Sequence, residues 1–241
     1  MREGEIPKEW REANITPLFK KGSRLIAENY RPVSLTSICC KLMEGIIRDR
    51  MMKFMEEANL ISKSQHGFVK KRACVTNLLE CQGLVANILS KGNSVDVLYT
   101  DFSKAFDKVS HRKLLVKLSG YGFSLKLISW IRAFLQDRKQ CVVMGDIESD
   151  WREIWSGVPQ GSVLGPLLFV VYINDLPECL SNKCKMYADD SKVFAEVNLN
   201  GQSNLQMDIN SIVKWCKNWD MSLNCSKCKI MHFGSKNPRS I

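Results

Sequence analysis

At 241 residues with 45% hydrophobic side chains, the chain can bury a sizeable core as one large domain or two small ones, which excludes a low-complexity or disordered protein. Its 35 Lys and Arg against 25 Asp and Glu leave a net charge of +10. That balance favours an anionic partner and fits a backbone-binding protein whose affinity falls as salt rises. The opening Met1-Arg2-Glu3-Gly4-Glu5 has no apolar core of a leader peptide. No stretch approaches about eighteen uninterrupted apolar residues, so the expectation is an intracellular protein of nucleus or cytoplasm, neither secreted nor membrane-inserted. Ten cysteines are scattered through apparent helices and strands and read as reduced thiols. Cys225-x-x-Cys228 with His232 has no evident fourth ligand, so no zinc site is expected.

Residues 1 to 36 are basic and turn-rich, with Pro7, Pro17, Gly22 and Pro32 breaking any long helix, and read as extended structure. Between Ile38 and Ala58, Leu42, Met43, Ile46, Ile47, Met51, Phe54 and Met55 recur at spacings of three and four, which predicts an amphipathic helix with a Met-rich buried stripe. Gln65-His66-Gly67-Phe68 opens a loop, Lys70-Lys71-Arg72 follows, and a helix is expected from Val75 to Ser90. Val95 to Asp101 combines β-formers with a terminal carboxylate, the place where a buried strand hands a functional side chain to a loop. Helices at His111 to Leu118 and Leu125 to Leu135 precede short strands near Gln140 to Met144 and Trp151 to Trp155. A loop over Gly157 to Gly165 leads into an apolar helix through Leu167, Leu168, Val171 and Ile173. Strands at Lys185 to Tyr187 and Lys192 to Val197 set Asp189-Asp190 at a hairpin tip. A last helix through Leu205, Ile209, Ile212 and Trp215, and a strand at Lys229 to Phe233, complete an α+β order without internal repeats.

Tyr187-Ala188-Asp189-Asp190 carries the chemistry. Adjacent carboxylates disfavour each other's ionised form unless a cation neutralises them. An Asp-Asp pair alone reads as a solvated turn, but Asp101 ends an earlier strand and supplies a third acid. Mg²⁺ takes hard oxygen ligands and keeps several waters, so a few Asp side chains plus substrate phosphates complete its shell. Two such ions about 4 Å apart clamp the attacking and leaving oxygens of a phosphoryl transfer.

Five ordered strings carry a resemblance: Asn29-Tyr30-Arg31-Pro32-Val33-Ser34-Leu35, Gln65-His66-Gly67-Phe68, Asp101-Phe102-Ser103-Lys104-Ala105-Phe106-Asp107, Gly157-Val158-Pro159-Gln160-Gly161-Ser162-Val163-Leu164-Gly165-Pro166 and Tyr187-Ala188-Asp189-Asp190. The chain resembles, over nearly its whole length, the reverse transcriptase domain of a non-LTR (LINE-type) retrotransposon of the jockey-like branch. The resemblance implies an α+β right-hand polymerase fold with an antiparallel palm sheet packed on helices. It implies fingers over 1–94 and palm over 95–241, with a fingers insertion around 110–155. It implies RNA-directed DNA synthesis from deoxynucleoside triphosphates on a DNA primer and RNA template, with two Mg²⁺ ions, or Mn²⁺ in their place. Asp101, Asp189 and Asp190 are the implied catalytic, metal-binding acids, and Asp107 is read as structural or as a support behind those ligands.

The same resemblance makes Phe106 the aromatic ring beneath the incoming sugar, which would clash with a ribose 2′-hydroxyl. Gln160 and Gly161 become a template and nucleotide contact, although Pro159-Gln160-Gly161 unaided is a turn in which glycine lets a backbone approach closely. Lys20, Lys21 and Arg31, with Arg72 as a further candidate, are implied to neutralise the triphosphate. Lys227, in Leu223-Asn224-Cys225-Ser226-Lys227, is the general-acid candidate for the leaving pyrophosphate. Ala73 departs from the family's usual Ser. The family's thumb, primer grip and endonuclease segments are not found in the sequence, so the expectation is a fragment of an element, and the alternative function is an inactive remnant that binds RNA or primer-template. Polymerisation of RNA on RNA is disfavoured by Phe106 and Tyr-Ala-Asp-Asp. No oligomeric state follows from the sequence.

Overall fold

The computed structural model describes residues 6–197 and 204–239. In chain order the strands are β1 (Glu12–Phe19), β2 (Tyr30–Leu35), β3 (Ser94–Thr100), β4 (Arg138–Met144), β5 (Ile147–Glu148), β6 (Arg152–Ile154), β7 (Lys183–Tyr187), β8 (Asp190–Val197) and β9 (Lys229–Phe233). The helices are α1 (Ile38–Glu57), α2 (Cys74–Ser90), α3 (His111–Gly120), α4 (Leu125–Leu135), α5 (Gly165–Ile173) and α6 (Leu205–Asn218). They form two compact units that interleave along the chain: Met1–Leu60 with Phe106–Val171, and Ile61–Ala105 with Tyr172–Ile241. Among the described residues no helix is long and apolar enough to cross a membrane.

The first unit holds a mixed sheet in the order β2-β1-β4-β5, with β6 also on β4. β1 pairs antiparallel with β2 over Asn14 to Phe19 and parallel with β4 over Glu12 to Ile15. β4 has therefore left β1 before Pro17, so this residue without an N–H sits where one strand edge carries no ladder. Helices α3 and α4 bury Leu114, Leu118, Ile131, Phe134 and Leu135. Ser124 Oγ accepts the Leu127 N–H at the start of α4, and Trp130 stacks on Phe134 at 5.4 Å.

α1 corrects the expected stripe. Ile47, Met51 and Met55 are buried, but Leu42 and Ile46 are exposed, and the buried face continues through Cys40 and Glu44 instead. A fully buried carboxylate is costly unless hydrogen-bonded. Glu44 meets that condition: Oε2 accepts the Leu164 N–H at 2.8 Å, at the N-terminal end of α5, and Oε1 accepts the Cys40 thiol at 3.4 Å. A carboxylate suits a helix N-terminus, where free N–H groups and the helix dipole favour negative charge. Tertiary demand at α5 has thus overridden the apolar periodicity of α1.

The second unit is built on an antiparallel sheet in the order β7-β8-β3-β9. β3 is laddered on both edges, with Thr100 opposite Ser191 on β8 and Leu98 opposite Ile230 on β9. Val95 and Val97 of β3 and Phe194 of β8 form a core with Cys81, Leu84, Val85 and Ile88 of α2. Burying a valine of this kind stabilises by about 1.5–3 kcal/mol relative to exposure. The buried Asp96 accepts Asn237 Nδ2 at 2.8 Å and pairs with His232 Nδ1 at 2.7 Å, tying the chain after β9 back to β3. On α6, the buried Asp208 accepts the N–H groups of Ser181 and Asn182. Helices with one mixed and one antiparallel sheet make the fold α+β, as expected, and the hairpin β7–β8 carries Asp189 and Asp190 at its tip.

Replacing Glu44 by Ala strands the buried Leu164 N–H, a loss worth about 1–3 kcal/mol. The Glu44→Ala protein is expected to unfold at lower urea concentration than the wild type, followed by circular dichroism. Leu42→Ala, at an exposed position, is expected to leave the midpoint nearly unchanged.

Candidate active site

Tyr187 pairs with Asp190 across the β7–β8 hairpin, which leaves Ala188 and Asp189 as a two-residue loop. Of these, Ala188 has φ +55° and Asp189 is not positive. This is the pattern of a type II′ turn, whose first central position ordinarily takes glycine. The turn starts β8 with its first residue as Asp190. One step beyond the Thr100–Ser191 pair, the end of β3 brings Asp101 level with Asp190. Side chains two apart on a strand share a face, so Tyr99 and Asp101 on one strand run beside Lys192 and Asp190 on the other.

The three carboxylates form one electrostatic group. Burial pushes the Asp189 carboxyl above its ordinary pKa. A backbone hydrogen bond opposes this shift, the charges of Asp190 and Asp101 add to it, and Lys227 opposes it. Asp190 is raised in the same way, first by burial and then by Asp101, with Lys192 and Lys227 opposing. Lys227 Nζ donates to both oxygens of Asp101, at 3.0 and 3.1 Å. Its place is set by a turn in which the Lys227 N–H bonds to Asn224 O, while the Asn224 N–H bonds to Asp101 O at 2.8 Å. Lys192 Nζ donates to Asn77 Oδ1 at 3.2 Å and stands 6.0 Å from the Tyr99 ring centre.

Asp101, Asp190, Lys192 and Lys227 line a cavity of about 580 Å³, whose walls include Tyr99 and Asn77. Sequence reasoning missed Lys192. Its signal is the spacing of two from Asp190 in a strand, which puts ammonium and carboxylate on one face. Among the described residues no three His, Cys, Asp or Glu side chains form a ready-made metal cage. The donor set nevertheless fits a hard divalent cation, which is commonly held by one or two carboxylates plus water and substrate phosphates. The mutual repulsion of Asp101, Asp189 and Asp190 is the charge imbalance such an ion relieves.

The other expected site residues belong to the first unit. Phe106 lies in a turn and stacks on Phe169, with ring centres 4.5 Å apart and planes 15° from parallel. Gln160 O accepts the Ser34 N–H at 2.6 Å. Gly161, at φ +106°, lies against the same strand residue, and a Cβ there would stand 2.7 Å from Ser34 O. The close backbone approach expected at Gly161 is therefore a contact with β2. Arg31 is exposed on β2, opposite Leu18, and Lys20 and Lys21 are exposed just past β1, where the Lys20 N–H bonds to Asn29 O. Arg72, in the second unit, is already engaged by the carbonyls of Ser62 and Gln65.

A family model described as reverse transcriptase (RNA-dependent DNA polymerase) matches residues 18–240. The RNA-directed DNA polymerase from mobile element jockey of Drosophila melanogaster is 29% identical over 97% of this chain and 26% of its own length. The probable RNA-directed DNA polymerase from transposon BS of the same organism is 30% identical over 92% of this chain and 26% of its own length. The chain thus spans about a quarter of the length of these curated relatives. Among solved structures, telomerase from Candida tropicalis, in complex with a TWJ fragment of telomeric RNA, superposes with a TM-score of 0.68. That match has 10% identity and covers 98% of this chain and 43% of that one. Apo telomerase from the same organism, truncated from its C-terminal domain, also gives 0.68, at 12% identity over 96% of this chain and 52% of that one. These likenesses show a right-hand polymerase fold, and domains of the matched family generally use divalent metal ions. A family match over nearly the whole chain, with Asp101, Asp189 and Asp190 drawn together by β3, β7 and β8, places this protein in the reverse transcriptase (RNA-dependent DNA polymerase) family.

Proposed function

We propose that the chain is the fingers and palm portion of an RNA-directed DNA polymerase that extends a DNA primer on an RNA template. The observation that carries this reading is the carboxylate group of Asp101, Asp189 and Asp190, balanced by Lys227 on one four-stranded sheet. The palm would be the sheet from residue 95 onward, interrupted by the 110–155 insertion, and the fingers would be built on the N-terminal hairpin. In this role Asp101, Asp189 and Asp190 would hold two divalent ions, Mg²⁺ or Mn²⁺. When bound, such a pair lowers the pKa of an attacking hydroxyl and stabilises charge on a leaving phosphate.

The reaction is attack of the primer 3′-oxygen on the α-phosphorus of a deoxynucleoside triphosphate, with cleavage of the bond to pyrophosphate. Lys227 holds a proton beside Asp101 and would deliver it to the departing pyrophosphate. Lys20, Lys21 and Arg31 carry exposed charge on and beside the β1–β2 hairpin and would bind the triphosphate or the nucleic-acid backbone. Gln160 lies in a loop whose backbone is fixed to β2, a fitting base for a template or nucleotide contact. Phe106, held flat against Phe169, would present a rigid edge to the sugar and exclude the 2′-hydroxyl.

Primer extension on an RNA template with Mg²⁺ and deoxynucleotides tests the reading. The wild type is expected to extend, and the Asp189→Ala, Asp190→Ala double variant is not. Template binding without extension by either protein would favour the remnant that only binds. Lys227→Met is expected to slow extension about a hundredfold, the low end of general-acid contributions.

Phe106→Val is expected to raise ribonucleotide incorporation relative to deoxynucleotide, read in single-nucleotide extension assays. Because burial and neighbouring carboxylates disfavour ionised Asp189, its charge at neutral pH opposes folding when no ion is bound. Asp189→Asn in EDTA is therefore expected to unfold at a higher temperature than the wild type. That difference should shrink as pH falls and the wild-type carboxyl takes up its proton.

A further inference from the structure

Ala188 bears a positive φ at the hairpin tip, a backbone conformation that an L residue disfavours. Something must hold it. Segment Ser64-Gln65-His66 runs beside β7: the Met186 N–H bonds to Ser64 O, the His66 N–H bonds to Met186 O, both at 2.8 Å, and Gln65 bridges in parallel to Met186. The fully buried side chain of Gln65 then reaches past the end of β7. Its Oε1 accepts the Ala188 N–H at 2.9 Å and the Gly67 N–H at 2.7 Å, and its Nε2 donates to Ala188 O at 3.2 Å.

One side-chain amide thus satisfies both the N–H and the C=O of the residue just before Asp189. The orientation of the amide follows from its partners, because the reversed placement would face its NH₂ to two N–H donors. Two of these bonds act on the Ala188 peptide itself and the third seats the amide on Gly67, and together they offset the strain at Ala188. Gly67 leaves the room for this approach: a Cβ there would stand 2.3 Å from the Ala188 nitrogen. The segment is itself anchored, since Ser62 N–H bonds to Asn174 Oδ1 at 2.8 Å and Arg72 bridges the carbonyls of Ser62 and Gln65. His66 adds a bond to Thr76 Oγ1 at 3.0 Å, at the start of α2.

We propose that Gln65 is a positioning residue for Asp189: seated over Gly67, its amide locks the Ala188 peptide in the conformation that presents Asp189 to a divalent ion together with Asp101 and Asp190. This rests on the reading of those three acids as ion ligands. Partners that orient a metal ligand from behind commonly change metal affinity about ten- to hundredfold when removed.

The test combines amide exchange with Mn²⁺ titration followed by electron paramagnetic resonance, on wild type, Gln65→Met and Asp189→Asn. Gln65→Met keeps length and apolar bulk and removes all three hydrogen bonds. The wild-type Ala188 amide is expected to exchange slowly without added ion. In Gln65→Met that protection is expected to be lost and Mn²⁺ binding weakened at least tenfold, with a lower unfolding temperature because three backbone groups lose their partner. Should Gln65→Met not fold, Gln65→Glu replaces it, keeping both accepted N–H bonds and losing the donation to Ala188 O; weaker Mn²⁺ binding is again expected. A wild-type Ala188 amide that exchanges at the rate of an open loop overturns the proposal, as does wild-type Mn²⁺ affinity in a folded Gln65 variant. Mn²⁺ binding untouched by Asp189→Asn overturns the ligand reading itself, while the exchange rate at Ala188 separately reports whether the clamp exists.

Discussion

Burial, with Asp101 close by, disfavours the ionised forms of Asp189 and Asp190, and the second unit is organised around that constraint. Asp189 and Asp190 are adjacent in sequence, and Asp101 arrives beside them because β3 and β8 pair in register up to Thr100 and Ser191. Lys227 meets both oxygens of Asp101, and Lys192 adds a second ammonium on the same face. Burial first, and then the neighbouring carboxylates, raise the Asp189 and Asp190 carboxyls above their ordinary range. Groups held against their ordinary ionisation in this way are costly to fold, and a counter-charge placed among them would relieve that cost.

Such a site needs a stiff frame. β3 has no free edge along most of its length, since β8 lies on one side and β9 on the other. α2 covers its Val95 and Val97 face, and buried Asp96 secures the far side through Asn237 and His232. The hairpin tip, which no ladder can reach, is held instead by a side-chain amide. The first unit follows the same logic at its own loop: Gln160 and Gly161 are fixed to Ser34 of β2, and the end of that loop is capped by Glu44.

Much of this was legible from the residues. Alternation and β-branching marked β3 and β8, three-and-four spacing marked α1, α4 and α6, and the acids stood out because adjacent carboxylates after a strand demand explanation. The misreadings share one cause. The Leu42 and Ile46 stripe of α1 is exposed and Glu44 is buried because α5, more than a hundred residues on, needs an acceptor for its first N–H groups. Arg72, a further candidate for the triphosphate, donates to the carbonyls of Ser62 and Gln65, partners that no local pattern shows. Gln65 was visible as part of a motif, but its partner lies 123 residues away.

The sequence by itself determined the element types, the class of fold, the family and the three acids, because periodicity and motif chemistry are local properties of the chain. Only the tertiary structure decided which polar groups are paired and which face of each helix is buried. Hydrogen-bond partners and helix contacts are set by strand register and packing between distant segments, and a buried donor without an acceptor costs enough to overrule a local hydrophobic pattern.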